Sequence, residues 1–166
     1  MTHPAACDVD ELLADCALRR QRRSGPGGQH RNKVETAVVI SHMPTGVCGA
    51  ASERRSQEEN RQAALFRLRV NLALEVRSEV VAREPSPLWQ SRAAGGRLQA
   101  SPQHGDFPAL LAEALDQIDA HAGDVAQAAA VLNVTPSQLV KFLRKEPRAL
   151  AAVNARRKAL GVHELK

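Results

Sequence analysis

The sequence predicts an α+β fold: a small domain with a short β-sheet packed on a long helix, then an all-α helical bundle of helix-turn-helix type. Three observations predict it. Residues 35–42 alternate, with Val38 and Ile40 on one face and Ala37 and Val39 on the other, and a Pro44-Thr45-Gly46 turn follows. Leu65, Leu68, Leu72, Val76 and Val80 recur at three and four, one stripe of a long helix. Residues 106–160 keep helical spacing, interrupted only by capping residues and prolines.

The elements follow in order. Residues 8–16 read as a short helix capped by Asp8, with Leu12, Leu13 and Cys16 on its buried side. Residues 17–23 are an extended, Arg-rich approach. Residues 24–33 are a loop, because three glycines and a proline within five positions defeat helix and sheet. The strand at 35–42 pairs with a second at 46–52, rich in small residues. The long helix covers 55–82 and stops before Pro85. Residues 83–105, rich in Pro, Gly, Ser and Gln, read as a linker. Gly95-Gly96-Arg97 within it is expected to have no strand or helix around it, and Trp89 to pack on the first domain. Beyond it come a helix over 106–122, a second capped by Asp124, a third capped by Thr135 with Pro136 at its first position, and a fourth begun by Pro147. The division is a domain over 1–82, a linker over 83–105 and a helical domain over 106–166.

Composition narrows the function. The chain has 166 residues, 43% apolar but only 2% aromatic, so a module that stacks single-stranded bases on aromatic rings is excluded. The net charge is +5, a balance that favours phosphate backbones. Residues 1–103 hold fifteen basic and eleven acidic side chains, and residues 104–166 eight and seven. Cys7, Cys16 and Cys48 lack metal-ligand spacing and suit a reducing compartment. No metal site or cofactor is expected, no apolar run is long enough for a membrane span, and the acidic N-terminus is unlike a presequence. A cytoplasmic monomer is the expectation.

One loop carries the chemistry. Ser24-Gly25-Pro26-Gly27-Gly28-Gln29-His30-Arg31-Asn32-Lys33 precedes an apolar strand. His42-Met43-Pro44-Thr45-Gly46 follows, then Arg55-Ser56-Gln57 with Asn60 three further on. Over about residues 8–80 this series resembles the Gly-Gly-Gln catalytic domain of class I peptide chain release factors and the stand-alone ribosome rescue factors related to them. The resemblance implies ribosome-dependent hydrolysis of the peptidyl-tRNA ester, with Gly27, Gly28 and Gln29 at the catalytic tip. It implies the ribosome, through large-subunit rRNA, and peptidyl-tRNA as partners. It also implies N5-methylation of Gln29 by a glutamine methyltransferase.

Supporting roles follow. Arg19, Arg20, Arg22, Arg23, Arg31 and Lys33 flank the tip, where phosphates are met and position without reading sequence. Arg55 and Gln57 match the second motif and are RNA-binding candidates. Ser24, Gly25, Pro26, Asn32, Ser56 and Asn60 support the loop, with Ser56 also a helix cap. His30 has no carboxylate or nucleophile paired with it in sequence, and His42 reads as a packing residue. Only 24 residues precede Gly25, too few for a codon-reading domain, so codon-independent rescue of stalled ribosomes is expected. In the C-terminal part, Gln138, Lys141, Arg144 and Lys145 are candidates for nucleic-acid contact; a small bundle that packs or binds protein is the other reading. The functional alternative is a nucleic-acid-binding or ribosome-associated factor without hydrolysis.

Overall fold

The computed structural model describes residues 2–21 and 37–166. It is mixed α and β: a three-stranded antiparallel sheet, a small two-stranded ladder and, among the described residues, seven α-helices. A 3₁₀ turn over Pro4–Ala6 precedes α1 (Val9–Ala14), which Asp8 caps by accepting from Asp10 N at 3.0 Å. Cys16 does not complete the buried side of α1. It opens β1 (Cys16–Gln21), because pairing with His42 across the sheet overrides the local helical pattern.

β2 (Ala37–His42) is central, with β1 on one side and β3 (Cys48–Ala51) on the other, both antiparallel to it. Val38, Ile40 and His42 point into the core and the residues between them are half-buried, the period-two pattern of a strand with one covered face. Gly46 turns the chain between β2 and β3 with φ +73°, its N–H donating to His42 O at 2.8 Å.

The covering element is α2 (Gln57–Glu75). It lies on β3 without side-chain clearance: a Cβ at Gly49 would stand 2.2 Å from Ala64 O and 2.3 Å from Leu68 N. Two α2 side chains also bind the strand's backbone. Arg67 donates to Ala50 O and Asn71 to Cys48 O, each at 2.7 Å. The buried positions of α2 include Ala64, Leu68 and Leu72 together with Val70 and Ala73, because α2 packs on β2 and β3 and also on the 3₁₀ turn and α4 (Phe107–Ala120).

The single stripe expected to Val80 does not form. α2 ends at Glu75, Leu65 is half-buried, and Val80 is 85% exposed. The stop is tertiary. Arg77 donates to Ala73 O and Leu74 O at 2.7 Å, capping the helix's last carbonyls, and His3 Nε2 bonds Val76 O at 3.2 Å. The chain beyond is strapped to α4: Ser78 N donates to Asp116 at 3.2 Å, Gln117 donates to Ala82 O at 2.7 Å, and Ser86 N donates to Glu113 at 2.7 Å. Burial pushes the Glu113 carboxyl above its ordinary range.

Residues 83–105 hold α3 (Pro87–Arg92), β4 (Ala93–Ala94) and β5 (Arg97–Leu98). Gly95 and Gly96, expected to be unframed, form the turn of this small hairpin with φ +56° and +74°; two residues of positive φ are what such a tight turn requires. Trp89 packs on the C-terminal helices, not on residues 1–82. It is fully buried, donates from Nε1 to Leu132 O at 2.8 Å, and meets Phe142 edge-on with centroids 5.9 Å apart. A buried indole N–H needs an acceptor, and the turn after α5 (Val125–Val131) offers one. Asp124 caps α5, and Thr135 caps α6 (Pro136–Leu143) at 3.2 Å from Gln138 N. Glu146, with Pro147 behind it, starts α7 (Pro147–Ala159).

Gly49→Val is expected to lower the unfolding free energy by about 3 kcal/mol, the upper end for overpacking, since the obstacles are backbone, and the fall is read from urea titration. Gly105→Ala, where nothing lies within 4 Å, serves as the neutral control. A second expectation concerns pH. His3 accepts from Ala5 N at Nδ1, so its neutral form is the bonded one, and burial holds its pKa below the ordinary value. Its contribution to stability is present above the unfolded imidazole pKa of about 6.5 and is lost as pH falls below it. Chemical denaturation at pH 7 and pH 5 should show that loss, and His3→Gln should reduce it.

Candidate functional site

The functional candidates gather at one end of the sheet. Gln21 and Ala37 are register partners at the last rung between β1 and β2. The chain leaves the ladder at one and returns at the other. Between them lie Arg22, Arg23, Ser24, Gly25, Pro26, Gly27, Gly28, Gln29, His30, Arg31, Asn32 and Lys33, all outside the described residues.

The two described arginines of the approach are split by the pleat. Arg20 sits opposite Val38 and Leu18 opposite Ile40, so both share the face that α2 covers. Arg19, opposite Val39, is on the other face. Both guanidinium-bearing residues are exposed. A cleft of about 250 Å³ opens beside Arg20, lined by Leu18, Val38, Gln57, Glu58 and Arg61. It brings the approach strand against the first turns of α2, the two regions that the glycine-rich motif and the Arg55-Ser56-Gln57 motif bracket.

The second motif is built into the start of α2. Ser56 Oγ accepts from Glu59 N at 3.4 Å and caps the helix. Asn60, fully buried, clamps the preceding loop: Arg54 N donates to its Oδ1 and its Nδ2 donates to Arg54 O, each at 3.0 Å. Arg55 and Ser56 face solvent and Gln57 is half-buried in the cleft wall. Glu53 pairs with Arg67 at 2.6 Å, and that hydrogen bond holds the Glu53 carboxyl down to about 2.

His42 lies at the other end of β2, opposite Cys16 and away from the Gln21–Ala37 rung. Its Nδ1 lies 2.8 Å from Thr45 Oγ1, which also accepts from Val47 N at 3.4 Å. Thr45 and Gly46 thereby fix the turn that follows β2. The histidine is 5% exposed and is part of the packing.

Arg61, Glu58 and Leu18 of the cleft were not singled out as site residues by sequence. Arg61 is four residues beyond Gln57, a spacing that puts both on one helix face, and this signal was available. Arg61 pairs with Glu58 at 3.7 Å. The described wall thus presents the guanidinium groups of Arg20 and Arg61, the Gln57 amide and the Glu58 carboxylate around an apolar floor of Leu18 and Val38. The C-terminal candidates lie apart on α6 and just after it: Lys141 is exposed, Arg144 donates to Lys166 O, and Lys145 donates to Ala100 O. No helix among the described residues is long and apolar enough to cross a membrane.

Residues 8–100 match the family described as RF-1 domain. A peptide chain release factor 1 from Acidiphilium cryptum is 46% identical over 81 residues, 48% of this chain and 23% of that protein. Another from Ureaplasma parvum is 46% identical over 71 residues, 42% of this chain and 20% of the relative. A peptide chain release factor 2 from Lactiplantibacillus plantarum is 49% identical over 65 residues, 39% of this chain and 17% of the relative. The chain therefore spans about a fifth of the length of these curated relatives.

Asn60→Ala removes both clamp bonds and leaves space at a fully buried position, and is expected to cost about 2 kcal/mol in denaturant unfolding. Asn60→Asp keeps the acceptor but sets a buried carboxylate against the Arg54 carbonyl, so at pH 7 it should cost at least as much.

Proposed function

Since this chain belongs to the RF-1 domain family, we propose that it hydrolyses the peptidyl-tRNA ester inside the ribosome, without reading a codon. The observation that carries the reading is the Gly27-Gly28-Gln29 motif, which falls in sequence between Gln21 and Ala37. Those two residues are register partners at the end of the β1–β2 ladder, and the cleft lined by Arg20, Gln57, Glu58 and Arg61 lies at the same end.

The proposed chemistry needs little from the protein. Water attacks the ester carbonyl carbon, and the bond from that carbon to the tRNA ribose oxygen breaks. The ribose oxygen takes a proton, and the peptide departs as the free acid. Gly27 and Gly28, lacking Cβ atoms, admit the backbone close to RNA and to torsions other residues avoid. The N–H of residue 29 donates to the carbonyl oxygen as charge develops there; one such donor is worth about 10²–10³ in rate. The Gln29 side-chain amide places water and excludes larger nucleophiles. Its amide does not titrate in the range a general base requires. Arg19, Arg20, Arg22, Arg23, Arg31 and Lys33 hold phosphates around the tip, with Arg55 and Gln57 behind them. Methylation of the Gln29 amide and the division into a catalytic half over 1–82 and a helical half over 106–166 belong to the same proposal.

The test loads ribosomes with peptidyl-tRNA on a message truncated after the last sense codon, and in parallel on one presenting a stop codon. Wild type should release peptide from both at similar rates. Gln29→Ala should reduce release at least about 10²-fold. Release confined to the stop-codon complex would remove codon independence. Background release by both proteins on both messages would leave a ribosome-associated or nucleic-acid-binding factor without hydrolysis.

A further inference from the structure

The C-terminal helices look almost neutral in sequence, yet their charges are sorted in space. Five of the seven acidic side chains of residues 104–166 lie between 106 and 124. Two of these, Glu113 and Asp116, turn inward and take backbone N–H groups of the 76–86 strap. Asp106 goes to Arg92, Asp119 to Arg156 at 3.3 Å, and Asp124 caps α5. Residues 125–166 are left with eight basic side chains against Glu146 and Glu164, and Glu146 is committed to Arg148 at 2.8 Å. The excess is positive and belongs to α6 and α7.

On α6 the outward side is narrow and polar. Leu139, Phe142 and Leu143 are buried, and Phe142 is held edge-on by both Trp89 and Phe107. That fixes the helix's rotation. Ser137, Lys141 and Arg144 then face solvent at intervals of four and three, one stripe, with Gln138 half-buried beside it. No acidic residue occurs on α5 or α6. Lys141 has no partner among the described residues, and one donor of Arg144 goes to the carbonyl of Lys166. The turn between α5 and α6 is tight, with Asn133 at φ +54° and Thr135 N donating to Gly96 O at 3.1 Å, so α6 stands at a set angle to α5. A helix held this rigidly by its neighbours, with a basic polar stripe outward, is the arrangement by which helix-turn-helix units meet a duplex.

We infer that the Ser137–Gln138–Lys141–Arg144 stripe of α6 is a second nucleic-acid contact, seating on the phosphate backbone of an RNA duplex. The stripe itself rests on the charge sorting and on the packing of α6. The choice of RNA over DNA rests on the peptidyl-tRNA reading above. Lys145 takes no part in the contact because of its position: it is half-buried, off the exposed stripe, with its ammonium held against Ala100 O. The contact positions and does not read bases, since the deep groove of an A-form helix is closed to side chains.

The experiment measures binding of the full-length chain to a labelled 20-base-pair RNA duplex, and to a DNA duplex of the same sequence, over a range of KCl. Lys141→Gln with Arg144→Gln is compared with wild type and with Lys145→Gln. The expected result is about tenfold weaker RNA binding by the double variant at moderate salt. The slope of log K against log [KCl] should also become shallower by about two, one per cation removed. Lys145→Gln should keep the wild-type slope. Emission from Trp89, which sits against α6, and the Tm report whether the fold survives. If the double variant unfolds, Lys141→Gln alone is used, with a slope change of about one. An unchanged slope in folded variants, or tighter binding to DNA than to RNA, overturns the proposal. Duplex binding needs no ribosome, so failure of peptide release by wild type would remove the hydrolytic reading while leaving this result to stand or fall by its own measurement.

Discussion

The sheet of this molecule rests on one backbone-to-backbone contact. At Gly49 the strand β3 lies so close to α2 that no side chain fits between them. Because β3 pairs with β2, and β2 with β1, the position of α2 sets the whole sheet. The rung from which the glycine-rich segment departs is therefore placed by a contact on the opposite strand. Arg67 and Asn71, reaching from α2 to the carbonyls of Ala50 and Cys48, hold the same interface from its open edge. They also occupy acceptors that an edge strand would otherwise offer to another chain.

The second organising feature is polar. α4 presents Glu113, Asp116 and Gln117 to the backbone of residues 78–86, so the chain between α2 and α3 is bonded along its length to a helix that follows it in sequence. His3, Arg77 and Arg69 complete this seam from the N-terminal side, with Arg69 donating to Ala5 O at 3.0 Å and Gly105 O at 3.1 Å. Buried polar groups that are fully bonded fix geometry more than they add stability. Their consequence is electrostatic as well: acids used as backbone acceptors here are withdrawn from the surface, which leaves α6 and α7 basic.

How much of this was legible in sequence depended on the range of the interaction. Caps made within three residues were readable: Asp8, Ser56, Asp124 and Thr135 all bond the N–H groups their positions suggest. The alternation of Val38 and Ile40 was readable because a strand's period is local. The end of α2 was not, because Arg77 and His3 impose it from outside the helix. Cys16 was misread for the same reason, since its partner His42 is far along the chain. Trp89 and the Gly95-Gly96 turn were misplaced because their seat, the turn at residues 132–135, is formed by distant residues. In the candidate site, the motif positions around Ser56 and Asn60 were visible as a pattern. Their division of labour, a cap and a loop clamp, required coordinates. The cleft with Arg61 emerged only once β1 and α2 were seen side by side.

The account stands or falls on where the tip of the glycine-rich segment goes when the protein is on a ribosome. A cryo-electron microscopy map of the chain bound to ribosomes carrying a hydrolysis-resistant peptidyl-tRNA would decide it. The account predicts the backbone N–H of Gln29 within about 3 Å of the ester carbonyl oxygen, with Arg20 and Arg61 against RNA phosphates. Density placing Gln29 away from the ester, with the chain seated elsewhere on the particle, would contradict it.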